Sequence, residues 1–202
     1  MRIEEEIKLD YSDVLLRPKR STLNSRKEVF LERTFKFYHS PKTWTGIPIM
    51  TANMATCGTF EMARVLAPHK MITTFHKYYT VEDYKKFFSG KDVFKNPDYI
   101  VYTMGVRDED LKKIYKMKKE KLINNFSFIC IDIPNGYVDR LLKIVESIRK
   151  SFPKHIIIVG NVVTNEISEN VLSLPLFSHI SKEEINKVCY AIKRIYEYKN
   201  GK

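Results

Sequence analysis

Between residues 47 and 164 the chain keeps returning to one theme: a short apolar run, a polar or Gly-containing turn, then a stretch with helical spacing. Five such runs occupy residues 47–52, 71–75, 99–103, 126–131 and 156–160, each rich in Ile, Val, Phe and Tyr and too short for a buried helix. Between them, residues 60–66, 81–88, 108–121 and 137–151 have helical patterning, clearest where Leu141, Leu142, Val145 and Ile148 recur on one face. Strands alternating with helices imply right-handed βαβ units and a parallel sheet, hence an α/β fold. A doubly wound sheet and a TIM barrel both satisfy this pattern.

The flanks read differently. In the first forty-odd residues, an irregular segment through Arg17-Pro18 precedes alternating Val29, Leu31, Phe35 and Phe37, which suggests an arm and a hairpin packed on the domain. After Thr164, residues 171–177 are extended, and Pro175 forbids a helix interior there. Ser181 with Glu184 three residues later forms a capping-box pattern, and Ile185, Val188, Cys189, Ile192, Ile195 and Tyr196 give the following helix an apolar stripe.

Composition excludes several classes of function. At 202 residues, with 44% hydrophobic and 12% aromatic content, the chain can bury a sizeable core. No apolar run is long enough to span a bilayer, and the start, Met1-Arg2-Ile3-Glu4, lacks a secretion signal, so a cytoplasmic protein with no membrane partner is expected. Cys57, Cys130 and Cys189 are odd in number and widely spaced, which argues against a disulfide framework and a metal knuckle. The balance of 35 Lys+Arg against 24 Asp+Glu leaves +11. These basic residues are scattered through Arg17 to Arg20, Lys85-Lys86 and Lys112-Lys113 to Lys121, so we read them as solvated surface rather than a specific nucleic-acid site.

A family resemblance emerges from several motifs together. They are Asp13-Val14-Leu15-Leu16-Arg17-Pro18-Lys19-Arg20-Ser21, Leu31-Glu32-Arg33, Ala52-Asn53-Met54, Gly58-Thr59-Phe60, His76-Lys77, Asp132 with Asn135-Gly136-Tyr137, and Gly160-Asn161-Val162-Val163-Thr164. Over residues 1–165 they resemble GMP reductase, of the IMP dehydrogenase/GMP reductase family. The resemblance implies a (β/α)8 barrel and NADPH-dependent reductive deamination of GMP to IMP through a cysteine nucleophile. It also implies a homo-oligomer or association with full-length subunits.

Carried over residue by residue, the resemblance makes Lys77, Asp132 and Asn161 catalytic candidates. It makes Ser25, Arg26, Lys77, Asp132, Ile133 and Pro134 cofactor-binding candidates, with Ser25 and Arg26 reaching NADPH from a neighbouring subunit. Such groups belong at the C-terminal ends of barrel strands. The residues by themselves leave plainer roles open: a surface lysine for Lys77, a helix N-cap for Asp132, a turn residue for Asn161 and a solvated loop for Ser25 and Arg26.

A TIM barrel typically takes about 250 residues, and the resemblance ends at the fifth strand. The expected fold is therefore an incomplete barrel of about five βα units with a C-terminal amphipathic helix. No GxGxGSxC sequence occurs in these residues, and the family's potassium-binding carbonyls are not matched. Ala55, Pro134 and Tyr102 depart from the family pattern, which carries an aspartate, a small residue and a serine there. Residues 168–198 resemble the C-terminal end of DegT-type sugar aminotransferases without that family's catalytic lysine region. These features suggest a partial barrel over 1–165, a tail over 166–202, and impaired or absent turnover. The competing expectation is a non-catalytic interaction protein.

Overall fold

The computed structural model describes residues 13–15, 17, 20, 22–89, 93–136 and 138–161. The chain divides after Phe30, and the two units are described separately. The first includes a 3-10 turn, Arg26–Glu28, whose start is tied by Ser25 Oγ accepting from Lys27 N at 3.2 Å. The boundary proposed near residue 165, the tail and its helix lie outside the described residues.

The second unit begins with an antiparallel hairpin of β1 (Arg33–Lys36) and β2 (Thr43–Gly46). Five parallel strands follow: β3 (Met50–Thr51), β4 (Ile72–Thr74), β5 (Ile100–Met104), β6 (Phe128–Asp132) and β7 (Ile156–Gly160). Helices α1 (Phe60–Leu66), α2 (Val81–Phe88), α3 (Asp108–Lys119) and α4 (Asp139–Ser151) form the crossovers. The strands lie side by side in chain order, β3-β4-β5-β6-β7.

Order and packing decide between the two α/β architectures. A doubly wound sheet reverses its strand order and carries helices on both faces. Here Ile100, Tyr102, Met104, Ile129, Ile131, Ile157 and Val159 pack with residues of all four helices, including Ala63, Tyr84, Ile114 and Leu141. The alternate residues Val101, Phe128 and Ile156 join Ile72 and Trp44 in a separate cluster that contains no residue of α1 to α4. Helices on one face and side-chain filling on the other are the construction of a (β/α)8 barrel, and these are five of its strands.

Local chemistry sets the boundaries. Thr59 accepts from Met62 N to cap α1, and Thr80 and Asp83 cap α2 reciprocally, with Asp83 N to Thr80 Oγ1 at 3.1 Å and Thr80 N to Asp83 Oδ2 at 2.8 Å. Helix α3 stops at Lys119 rather than 121 because Lys121 takes a left-handed conformation (φ 59°). Helix α4 starts at Asp139 rather than 137 because the preceding backbone is engaged elsewhere, Gly136 N donating to Asn161 O at 2.9 Å. The β3 ladder shortens to two residues because Ile47 N turns aside to Lys70 O.

The hairpin closes the N-terminal end of the strands. Trp44 is buried against Phe35, Tyr99 and Phe128, and its indole donates to Asp98 O at 2.7 Å, just before β5. Lys42 Nζ donates to Ser127 Oγ at 2.9 Å, before β6, and Ser40 Oγ donates to Lys154 O at 3.1 Å, before β7. Ser127 in turn donates to the Asp98 carboxylate. Three strand entrances are thus tied to one turn.

Candidate functional site

At the opposite end, the chain leaving β4 passes through Phe75, His76 and Lys77, the chain leaving β6 passes Asp132, and the chain leaving β7 reaches Asn161. Lys77 Nζ approaches Asp132 Oδ2 at 4.0 Å, with both side chains about one third exposed, 38% and 34%. A pair that wet is worth about 0–1 kcal/mol, so it contributes little to stability. Asp132 shares the strand face of Phe128 and Cys130, toward the barrel interior.

Asn161 is joined to the same place through backbone. Its N–H donates to Ile133 O at 2.6 Å, while Ile133 N donates to Gly160 O at 2.7 Å, coupling the ends of β6 and β7. Ile133 is buried in the helix-side core, and Pro134 is exposed in the following turn. Asp132 does not cap a helix, since Val138 holds the N-cap position of α4. Lys77, Asp132, Asn161, Ile133 and Pro134 therefore share one end of the sheet. Ser25 is exposed and Arg26 lies in the 3-10 turn of the separately described unit.

The loop carrying Lys77 is held on every side. Gly58 passes so close that a Cβ there would meet Thr74 O at 2.3 Å, and its carbonyl accepts from His76 N at 3.0 Å. The Tyr79 ring stacks on Phe60 at 3.7 Å between centroids, and its hydroxyl accepts from Phe60 N at 3.1 Å. Lys113, on α3, donates to Lys77 O at 2.6 Å and to Tyr79 O at 2.9 Å. His76 stacks on Tyr79 at 4.0 Å and accepts from Tyr78 N at its Nδ1. Burial lowers its imidazole from the ordinary 6.5, which keeps it neutral at pH 7.

Sequence patterning missed His76, Tyr79 and Lys113 as members of this assembly. For Lys113 a signal existed: it lies on the inward stripe between Asp110 and Met117, beside Ile114, where a solvated lysine is out of place.

Cys130 offers no activated thiol. Cys130 keeps some exposed surface as a residue, yet desolvation around its sulfur, reinforced by the Asp132 charge, pushes the thiol up to about 12. Cys57 is half-buried, with its Sγ 3.4 Å from Ala52 O. Cys189 lies outside the described residues. Among the described residues no group of three or more His, Cys, Asp or Glu side chains could hold a metal, and no helix is long and apolar enough to cross a membrane.

With this geometry in view, comparison with known proteins decides the family. The IMP dehydrogenase / GMP reductase domain model matches residues 8–175. The chain belongs to this family. It is 44% identical over 174 residues to a GMP reductase of Klebsiella pneumoniae, covering 85% of this chain and 49% of that one. It is likewise 44% identical over 172 residues to human GMP reductase 1, covering 85% and 48%. The chain spans about half the length of the curated relatives it matches. A crystal structure of inosine 5' monophosphate dehydrogenase from Legionella pneumophila shares the fold, with a TM-score of 0.55 at 23% identity, over 76% of this chain and 44% of that one. In (β/α)8 barrels active sites lie at the C-terminal ends of the strands, the end from which β4, β6 and β7 lead into Lys77, Asp132 and Asn161.

Proposed function

We propose that these residues form the first five βα units of a GMP reductase-type site, which in its whole form reduces and deaminates GMP to IMP with NADPH. The observation that carries the reading is the approach of Lys77 to Asp132 at the C-terminal end of the sheet, with Asn161 fastened beside them. The donor set suits the cofactor. A carboxylate accepts from an amide N–H and an ammonium donates to an amide oxygen, the two functions of a nicotinamide carboxamide. When bound, NADPH supplies the hydride.

The chain's own residues then divide the work. Asp132 orients the carboxamide, and Lys77 donates toward the reacting region. Asn161 and Pro134 form the cofactor-facing wall, backed by Ile133 from the helix-side core, and Ser25 and Arg26 reach NADPH of a neighbouring subunit, where the guanidinium fork suits a phosphate. The setting is cytoplasmic. The 202 residues by themselves do not turn over GMP, since no GxGxGSxC segment lies among them and Cys130 is held protonated. The segment 166–202 is a fused tail without aminotransferase activity.

The test is an NADPH titration of the folded chain alongside GMP-dependent NADPH oxidation. Saturable binding that disappears in Lys77→Ala, with no turnover, is the expected result; cofactor affinity unchanged in Lys77→Ala overturns the assignment. A second reading, association with full-length subunits as a non-catalytic partner, is favoured by one observation: among the described residues β7 pairs only with β6. Co-purification with a complete subunit tests it.

A further inference from the structure

We propose that Lys113 of α3 is a positioning residue that sets the direction of the Lys77 side chain by gripping the backbone on both sides of Tyr78. The inference rests on the reading of Lys77 as a site residue, but its geometry stands apart from any cofactor. The Lys113 ammonium donates to the carbonyl of Lys77 itself at 2.6 Å and to that of Tyr79 at 2.9 Å. Its Nζ also lies 5.8 Å from the centroid of the fully buried Tyr102 ring, so the group is held against β5.

Charge-assisted bonds to two carbonyls are about twice as strong as neutral ones, and they hold the 77–78 and 79–80 peptide planes. The 77–78 plane is one of the two that set the Lys77 Cα–Cβ direction, so holding it restrains that direction and with it the 4.0 Å approach of Nζ to Asp132. The price is a largely desolvated ammonium: burial lowers the Lys113 pKa, and Asp110 and Asp83 oppose that shift. Helix stability alone does not call for such an arrangement, since an apolar residue would fill the same inward position of α3 without desolvating a charge.

The other contacts hold different parts of the loop. Gly58 O receives His76 N, and Phe60 N reaches the Tyr79 side chain, so neither addresses the Lys77 carbonyl. Lys113 is the residue whose loss frees the Lys77 peptide while leaving both ends of the loop attached.

The experiment is site-resolved acetylation of the 202-residue chain, with Lys77 measured by mass spectrometry against the exposed Lys143 of α4. Lys113→Met should raise the Lys77 to Lys143 ratio by up to about fivefold, the ceiling set by a partly exposed ion pair. Lys113→Arg, which can donate to both carbonyls, should restore the original ratio. The sharper readout is a double-mutant cycle with Asp132→Asn. Asp132→Asn should raise Lys77 acetylation in the parent chain and have no further effect once Lys113 is Met.

A merely structural role would change stability without moving that cycle. If Lys113→Met does not fold, the cycle is run with Lys113→Gln. A folded variant in which Lys77 reactivity, or its response to Asp132→Asn, is unchanged overturns the proposal. NADPH affinity plays no part in this readout, so failure of the functional reading would appear in the titration and failure of the positioning role in the acetylation.

Discussion

At the N-terminal end of the sheet, one buried tryptophan and one turn tie down the entrances to β5, β6 and β7, through apolar packing with polar bonds around it. At the C-terminal end β4, β6 and β7 release loops that meet through backbone bonds, a loose ion pair and a desolvated lysine. The first arrangement spends its residues on burial, which stabilises in proportion to area. The second leaves charge partly in water, where it contributes little to folding and remains available to a ligand. With the proposed function, stability and chemistry fall at opposite ends of the strands.

Four changes would break or sharpen that contrast. Trp44→Ala should cost about 3–5 kcal/mol of unfolding free energy in urea, by removing the centre of the closing cluster, while leaving the Lys77 to Lys143 acetylation ratio of the folded fraction unchanged. A shift in that ratio would mean that the ends are coupled. Gly58→Ala should cost about 1–3 kcal/mol, because its methyl group must displace the Thr74 carbonyl. Unlike Trp44→Ala, it should disturb Lys77 reactivity. Thr80→Ala, which removes half of the α2 capping box, should cost about 1 kcal/mol by the same denaturation. Asp132→Asn should alter stability by less than about 1 kcal/mol and yet weaken NADPH binding. A large loss of stability would make Asp132 a structural residue.

Acidification probes both ends together. Burial lowers the imidazoles of His76, at the site end, and His155, at the closed end, from 6.5. The unfolded chain therefore binds protons more readily than the folded one. Their contribution to stability is full above about pH 6.5 and is lost as pH falls through the folded values. Urea midpoints should drop on going from neutral to acid pH, and His155→Gln should reduce that slope.

The periodic elements were open to reading from sequence because each rule acts within a few residues. Residues 60–66 and 81–88 form helices at the bounds their patterning indicates, since Thr59 and the Thr80 and Asp83 pair mark the starts. The choice between a barrel and a doubly wound sheet was not open by that route. It depends on which side of the strands the helices take, a relation between elements. The placement of Lys77, Asp132 and Asn161 at one end follows from strand polarity once motifs mark the strand ends. Lys113 was hidden because a lysine in a basic stretch reads as solvated surface, and only the carbonyls of a loop 34 to 36 residues away reveal its partners.

Trp44 is the one tryptophan among 202 residues, and its indole is both buried and hydrogen-bonded. The intrinsic emission of the chain under selective excitation is therefore a single-site reporter of the hairpin closure. A red shift during denaturation marks water reaching that cluster, and rearrangements confined to the Lys77 loop stay optically silent. Tracking emission beside acetylation would time the two ends of the sheet separately in one unfolding experiment.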